Sequence, residues 1–127
     1  MTATPAAKAA SNSRNVACVL MERDFFSVTP DVLGPFDLIV GNPPFIRYQS
    51  FRGENRRRAL EAALRVGVRL TGLTSSWAPF VLHAMQFVAP GGDLAMVVPA
   101  EILQTQYGLP TLRALTKHFR SVSLLPF

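Results

Sequence analysis

The tetrapeptide Asn42-Pro43-Pro44-Phe45 follows the apolar run "FDLIVG" and combines hydrogen-bond acceptors with a rigid backbone. Proline has no backbone N–H and fixes φ, and a residue that precedes proline is held in an extended conformation. The Asn42 side chain and the Pro43 carbonyl therefore offer acceptor oxygens in a stiff corner. Phe45 adds a flat apolar ring beside them.

Two fixed acceptors next to an aromatic ring suit the exocyclic amine of a flat heterocycle. Such an amine has two N–H donors, and its lone pair is delocalised into the ring, so it is a poor nucleophile. Hydrogen bonds from both N–H groups to Asn42 Oδ1 and the Pro43 carbonyl would favour an sp³ nitrogen as positive charge develops there. The corner is therefore predicted to aim the lone pair of an amine at an electrophile.

The rest of the sequence alternates short apolar runs with helical patterns. Strands are predicted at 16–21, 36–41, 93–99 and 121–127, and helices at 54–66, at 77–88 and from Pro110 onwards. The first two strands are unbroken apolar runs, as in strands that are covered on both faces. This order predicts an α/β fold with a mostly parallel sheet.

Each predicted helix has an apolar side. The first places Leu60, Ala63 and Leu64 together, and the third carries Leu112, Leu115 and Phe119. The second has a stripe at helical spacing that includes Trp77 and Phe80, which are interpreted as core; the full set is Trp77, Phe80, Val81, Ala84, Met85 and Val88. His83 lies off this stripe and is predicted to be on the surface. The Pro-Gly-Gly at 90–92 is predicted to end the helix.

Positive charge is concentrated between residues 47 and 69. This segment holds two glutamates, Glu54 and Glu61, and seven arginines: Arg47, Arg52, Arg56, Arg57, Arg58, Arg65 and Arg69. Its net charge equals the +5 of the whole chain. One interpretation is a phosphate-facing surface. The other is a solvated helix face with Glu54–Arg58 and Glu61–Arg65 pairs.

Composition bounds the remaining possibilities. Residues 1–15 are predicted to be a disordered lead, and residues 16–127 a single domain. One cysteine, Cys18, excludes a disulfide framework and a multi-cysteine metal site, and it is predicted to be core. Because the sequence has no apolar run long enough for a membrane span, a cytoplasmic protein is expected.

Asp24 and Asn42 both follow predicted strands. Ligands bind beyond the carboxyl ends of strands in open α/β sheets, so these two residues are expected to be neighbours in a cleft. Asp24 could equally cap a turn.

The sequence resembles the N6-adenine DNA methyltransferases of restriction and modification systems from about residue 16 to its end. "NPPF" resembles their Asn-Pro-Pro-aromatic signature, "RDFF" resembles the acidic segment at the cofactor adenine, and "FVAPGGDLAMVVPAEIL" is similar to a helix, turn and strand that follow in that family. The resemblance implies a partial Rossmann-like fold that uses S-adenosyl-L-methionine. It also implies transfer of methyl by direct displacement, without a metal.

The resemblance also implies roles for individual residues. Asn42 and Pro43 would bind the N6 amine of a flipped adenine, Pro44 would stiffen the corner, and Phe45 would stack on the base. Asp24 would accept from the cofactor's adenine amine, with Phe25 beside it. The nucleic-acid contacts would come from the basic segment, along the backbone of double-stranded DNA: Arg47, Tyr48, Arg56, Arg57 and Arg58. Tyr48 could stack on a base or simply lie at the surface.

The sequence departs from that family in its cofactor-binding parts. It contains no Gly-x-Gly, and the glycine-rich loop would have to precede residue 16. The chain alone is therefore expected to bind cofactor weakly and to be inactive. It would be a fragment, a chain with a mispredicted start, or a diverged partial gene product, and a partner chain or missing segment would supply the loop.

Other functions stay open at this point. The chain could be a noncatalytic nucleic-acid-binding remnant or subunit. It could also belong to relatives that methylate guanine N2 in RNA or a protein glutamine.

Overall fold

The computed structural model describes residues 10–11, 17–71 and 73–126. In chain order the elements are β1 (Ala10–Ser11), β2 (Ala17–Cys18), β3 (Phe36–Gly41), α1 (Gly53–Arg65), α2 (Trp77–Met85), β4 (Val88–Met96) and α3 (Gly108–His118). Two 3₁₀ turns cover Phe25–Ser27 and Ala100–Leu103. β3 and β4 pair in parallel, with α1 and α2 in the connection between them. The predicted α/β fold with a parallel sheet is confirmed.

Helices cover one face of the β3–β4 sheet. Leu94 and Met96 of β4 pack against the main core, which α1, α2 and α3 help to form. On the opposite face Leu38 is 60% exposed and Val40 is 69% exposed. The prediction that β3 is covered on both faces is therefore wrong for the described residues, because helices pack on only one side.

The Pro-Gly-Gly at 90–92 lies inside β4 and does not end the preceding helix. The helix ends at Met85 and β4 starts at Val88. Gly91 has a φ of 79°, and the pairing register shifts between Phe36 and Leu38. A Cβ on Gly92 would lie 2.8 Å from the Asp37 carbonyl oxygen of β3. The glycines therefore permit an irregularity in the strand that a bulkier residue would obstruct.

Helix α2 forms the centre of the core. All nine of its residues are buried, and Trp77 is completely inaccessible to solvent. The prediction that Trp77 and Phe80 belong to the core is confirmed. The apolar stripe predicts burial of one side of α2 only, whereas the structure covers the helix on every side.

Helix α1 ends in a Schellman motif. Gly67 has a φ of 78°, its N–H donates to the Leu64 carbonyl at 2.9 Å, and the Val68 N–H donates to the Ala63 carbonyl at 3.0 Å. The helix buries Ala59, Ala62 and Ala63. Leu64 is exposed, so its predicted place on the apolar side is wrong.

Helix α3 agrees with the helix predicted from Pro110 onwards, although it begins at Gly108. Leu115 is buried, and Leu112 and Phe119 pack against the core. A Cβ on Gly108 would lie 1.9 Å from the Ile102 carbonyl oxygen. Only glycine therefore allows this close approach of the helix start to the preceding 3₁₀ turn.

The predicted strand at 16–21 forms only in part. Residue 16 lies outside the described residues, and Ala17–Cys18 pairs antiparallel with Ala10–Ser11 and not with the β3–β4 sheet. Val19, Leu20 and Met21 are exposed. Cys18 is exposed as well, so its predicted core position is wrong. An apolar run becomes a buried strand only where a sheet offers it a hydrogen-bonding neighbour.

The predicted strand at 121–127 is wrong over the described residues 121–126, which form no regular element. Val122 packs against the core, but Leu125 is exposed. Neither β3 nor β4 pairs with this segment. Residue 127 lies outside the described residues.

The predicted disordered lead at 1–15 lies outside the described residues apart from β1. No helix in the described part of the chain is long and apolar enough to cross a membrane.

Candidate active site

The Asn-Pro-Pro-Phe corner lies at the carboxyl end of β3, as the sequence predicts. The Gly41 carbonyl accepts from the Val97 N–H at 3.0 Å, which extends the pairing with the chain after β4. Asn42 follows at once and is exposed, whereas Pro43 is buried. Phe45 is 45% exposed. The corner is therefore anchored by its first proline and presents a polar side chain and an aromatic ring outwards.

Ser76, the residue before α2, holds the far end of this corner. Its hydroxyl donates to the Pro44 carbonyl at 2.5 Å and accepts from the Ile46 N–H at 2.7 Å. Its own N–H donates to the Ile46 carbonyl at 3.0 Å. Ser76 is buried, at 3% exposure. These contacts join residues about thirty positions apart, so sequence patterns give no indication of them.

An open hollow of about 450 Å³ lies in front of Phe45. Phe45, Arg47 and Tyr48 line one part of it, so the structure brings these three predicted site residues together. Its other lining residues are Gln49, Leu73, Ser75, Glu101, Thr105 and Tyr107. Asn42, Pro43 and Pro44 precede the hollow in the chain and do not line it. Aromatic rings and a cation around an open volume suit a flat polar ring.

A hydrogen-bond network forms the far side of the hollow. Glu101 Oε1 accepts from the Tyr107 hydroxyl at 2.9 Å and from Trp77 Nε1 at 3.2 Å. The Tyr107 and Ser75 hydroxyls are 3.1 Å apart. Burial raises the pKa of Tyr107, so its hydroxyl keeps its proton. Sequence reasoning missed Glu101 and Tyr107, because an acid and a tyrosine six residues apart form no recognised motif.

Asp24 is a turn cap and an ion-pair partner at the same time. Its Oδ1 accepts from the Phe26 N–H at 3.1 Å, which caps the 3₁₀ turn Phe25–Ser27, and its Oδ2 accepts from Arg58 Nη1 at 3.0 Å. Among the described residues before Asp24, the strands are β1 and β2, which pair with each other and not with β3 or β4, so its expected place at a strand end of the main sheet is wrong. The carboxylate remains partly accessible, with 25% of the side chain exposed.

Phe25 lies in an aromatic cluster against α2. Its ring centroid is 4.6 Å from that of Phe80, 5.6 Å from that of Phe87, and 4.7 Å from the His83 ring, which it meets edge-on. The ring is half-buried, so part of it remains available to a ligand.

His83 is completely buried, and its predicted surface position is wrong. Nε2 lies 3.0 Å from the Phe25 carbonyl and 2.9 Å from the Val28 carbonyl, so it carries the proton and donates. Nδ1 faces the Gln86 side-chain amide at 3.3 Å. Burial lowers the pKa of His83 and favours the neutral ring. His83 thus ties the segment that carries Asp24 to the core.

The basic segment is partly neutralised within α1. Arg57 pairs with both Glu54 and Glu61, and Arg58 lies 3.7 Å from Glu54 in addition to its bond with Asp24. The hydrogen bond with Glu54 raises the pKa of Arg57. The predicted Glu54–Arg58 pair is confirmed, but Glu61 pairs with Arg57 and not with Arg65. The solvated-face interpretation therefore holds for part of the helix.

Unlike Arg57 and Arg58, the other predicted DNA-contacting residues form no ion pair within the described part of the chain; they are Arg47, Arg56 and Tyr48. Arg47 and Tyr48 are exposed at the hollow, and Arg56 is half-buried on α1. None of the described acidic residues forms a salt bridge with Arg47 or Arg56.

No group of three or more potential metal ligands occurs among the described residues.

Comparison with known proteins gives the family. The Eco57I restriction-modification methylase model matches residues 8–125, so the chain belongs to that family. Type II methyltransferase M.AccI of Acinetobacter calcoaceticus is 26% identical over 94 residues, which cover 72% of this chain and 17% of that protein. No solved structure gives a significant match. The predicted resemblance to restriction and modification methyltransferases is thereby confirmed.

Proposed function

We propose that this chain carries the target-amine site of an S-adenosyl-L-methionine-dependent DNA methyltransferase that acts on N6 of a flipped adenine. The main support is the Asn42–Phe45 corner, which follows β3 directly and presents Phe45 to an open hollow. Membership of a restriction-modification methylase family supports DNA as the substrate.

In this mechanism the corner prepares the amine. Asn42 Oδ1 and the Pro43 carbonyl accept from the two N6 hydrogens, and the nitrogen lone pair is turned out of the adenine ring plane. Phe45 stacks on the extruded base and offsets part of the cost of unstacking it. S-adenosyl-L-methionine supplies the electrophilic methyl group. The methyl group would pass from sulfur to N6, S-adenosylhomocysteine would be the leaving group, and the surplus proton would pass to water.

Asp24 and Phe25 fit the adenine end of such a cofactor. Each Asp24 oxygen accepts one hydrogen bond in the structure and can accept another, and the side chain is partly accessible. The half-buried Phe25 ring offers an apolar surface against which a flat heterocycle can lie. In this role Arg58 orients the carboxylate from the side of α1.

The proposed function is tested on a complete protein that contains this chain together with a glycine-rich cofactor loop, because the chain alone is expected to bind cofactor weakly and to be inactive. This complete protein is incubated with S-adenosyl-L-methionine and unmodified double-stranded DNA, and methylated nucleosides are measured by mass spectrometry. N6-methyladenine is the expected product. N4- or C5-methylcytosine would show that the target is wrong. Absence of any methylated nucleoside, together with salt-sensitive DNA binding, would favour the noncatalytic nucleic-acid-binding alternative.

Asp24→Ala is expected to weaken binding of S-adenosyl-L-methionine by about 10- to 100-fold, because a hydrogen bond to a charged group contributes about 1.5–3 kcal/mol. Isothermal titration calorimetry on the complete protein measures this loss. Glu22→Ala, which removes an exposed carboxylate two residues away, is the matched control and should bind normally.

Arg58→Ala separates cofactor binding from a purely structural role of Asp24. If Asp24 only anchors α1, Arg58→Ala and Asp24→Asn should have equal effects, because both remove the ion pair and both keep an oxygen that can cap the 3₁₀ turn. If Asp24 binds the cofactor, Arg58→Ala should keep most of the affinity. Equal losses in the two variants would contradict the assignment.

Arg47→Ala is expected to lower the salt dependence of DNA binding by about one unit in the slope of log K against log[salt], because one phosphate contact is lost. Arg57→Ala should change the slope less, since Arg57 is already paired with Glu54 and Glu61. Fluorescence anisotropy over a range of salt concentrations gives both slopes. A larger change for Arg57 than for Arg47 would contradict this placement of the DNA.

A further inference from the structure

We propose that Ser76 is a positioning residue that sets the orientation of the backbone that carries Phe45, directly after the acceptor pair. This inference rests on the function proposed above. It is carried by the three hydrogen bonds between Ser76 and the chain on both sides of Phe45.

Ser76 engages three consecutive peptide units. The Pro44 carbonyl belongs to the peptide between residues 44 and 45, the Ile46 N–H to the next, and the Ile46 carbonyl to the one after it. One hydroxyl donates to the first and accepts from the second, so both of its hydrogen-bonding functions are used on the corner. Rotation of either peptide that flanks Phe45 would break one of these bonds.

The three hydrogen bonds of Ser76 can hold the corner only if Ser76 itself is fixed, and its place at the start of α2 fixes it. Ser76 is buried directly before Trp77, whose ring is fully enclosed in the core. Phe45 itself is exposed and contributes little packing of its own. The backbone on both sides of Phe45 is therefore held by hydrogen bonds to a buried residue at the start of α2.

This arrangement explains how an exposed corner can hold reacting groups accurately. Proline fixes φ at residues 43 and 44, but it leaves the orientation of the following peptide free. Ser76 fixes that peptide and the next one. A misplacement of about 1 Å at a reacting centre can reduce a rate by about 100-fold. By holding the peptides on both sides of Phe45, Ser76 would therefore affect the turnover rate without contacting the substrate.

Thr74 provides a matched control for removal of a buried hydroxyl close to Ser76. It is 1% exposed, and its Oγ1 has no hydrogen-bond partner among the described residues. Thr74→Val keeps the shape and removes only the hydroxyl. It should leave the corner unchanged.

The test compares Ser76→Ala with Thr74→Val in two measurements on the complete protein that includes the cofactor loop. Hydrogen–deuterium exchange is followed at the Ile46 amide, and steady-state methylation of adenine-containing DNA gives kcat and KM. Ser76→Ala should raise exchange at Ile46 by about tenfold, which corresponds to the loss of one hydrogen bond. It should lower kcat by about 10- to 100-fold with little change in KM for DNA or cofactor. Thr74→Val should change neither.

Three results would overturn the proposal. Unchanged exchange at Ile46 would show that Ser76 does not hold the corner. Faster exchange with unchanged kcat would show that the hydrogen bonds exist but do not position the reaction. A complete protein that methylates no adenine, with faster exchange in Ser76→Ala, would refute the proposed function and with it the positioning role.

Ser76→Cys serves if Ser76→Ala does not fold. A thiol is a weak donor and a weak acceptor, so this variant should change exchange and kcat in the same directions by smaller factors. Wild-type values for both quantities would overturn the proposal.

Discussion

Replacement of Asn42 by alanine should reduce methyl transfer by about 100- to 1,000-fold or more while binding of S-adenosyl-L-methionine stays nearly normal. The proposed site uses Asn42 Oδ1 to accept from N6 as positive charge develops there, and loss of one such preorganised group typically has this effect. Asn42 is exposed, so its removal should leave the fold intact. Steady-state methylation and calorimetry with cofactor measure the two quantities in the complete protein that includes the cofactor loop.

Two further variants sharpen this prediction. Asn42→Asp retains an acceptor oxygen at the same position and should lose less activity than Asn42→Ala. Asn55→Ala removes an exposed asparagine from α1 and should leave transfer unchanged. Wild-type turnover in Asn42→Ala would show that the corner does not bind the target amine.

Trp77→Ala should lower the free energy of unfolding by about 3–5 kcal/mol, the usual range for removal of a large buried aromatic side chain. The Trp77 ring is fully buried in the core, and Nε1 donates to Glu101 at 3.2 Å. For a single domain such a loss is a large part of the total stability, so the variant should unfold at a clearly lower denaturant concentration. Chemical denaturation followed by circular dichroism measures it.

Comparison variants separate the contributions of the ring. Trp77→Phe keeps most of the apolar volume but removes the hydrogen bond to Glu101, so its loss should be smaller than that of Trp77→Ala. Leu73→Ala removes an exposed apolar side chain and should be nearly neutral. A loss below about 1 kcal/mol in Trp77→Ala would contradict the central position of α2.

The helices and the two strands of the main sheet were predictable because their signals are local. The helical spacing around Trp77 and Phe80 indicates α2, and the run that ends at Gly41 indicates β3. The wrong strand predictions concern segments that lack a pairing strand in the main sheet over the described residues. The runs at 16–21 and 121–127 have strand-like composition, but no neighbouring strand of the main sheet pairs with them in the described chain.

His83 shows the same limit within a helix. Its place off the apolar stripe indicates a surface residue, yet the segment from Phe25 to Val28 covers that side of α2 and offers two carbonyl acceptors. Periodicity describes one helix at a time. It cannot show that a loop more than fifty residues away covers the polar side.

The place of the candidate site at the end of β3 was predictable, but the contacts that support it were not. Asn42 and Phe45 stand out because the tetrapeptide is rigid and specific, whereas Ser76, Glu101 and Tyr107 contribute through contacts between distant segments. The predicted roles of Asp24 and of the basic residues remain predictions. For Asp24 and Arg58 the structure adds a mutual ion pair that sequence alone did not suggest.

The central claim is that the corner holds an adenine amine, and a crystal structure with DNA and a nonreactive cofactor analogue tests it most directly. The quantities to measure are the distances from the target N6 to Asn42 Oδ1 and to the Pro43 carbonyl oxygen. Both should be about 3 Å, with the adenine out of the helix and stacked on Phe45. An adenine that stays paired, or an extruded base whose amine contacts neither oxygen, would contradict the claim.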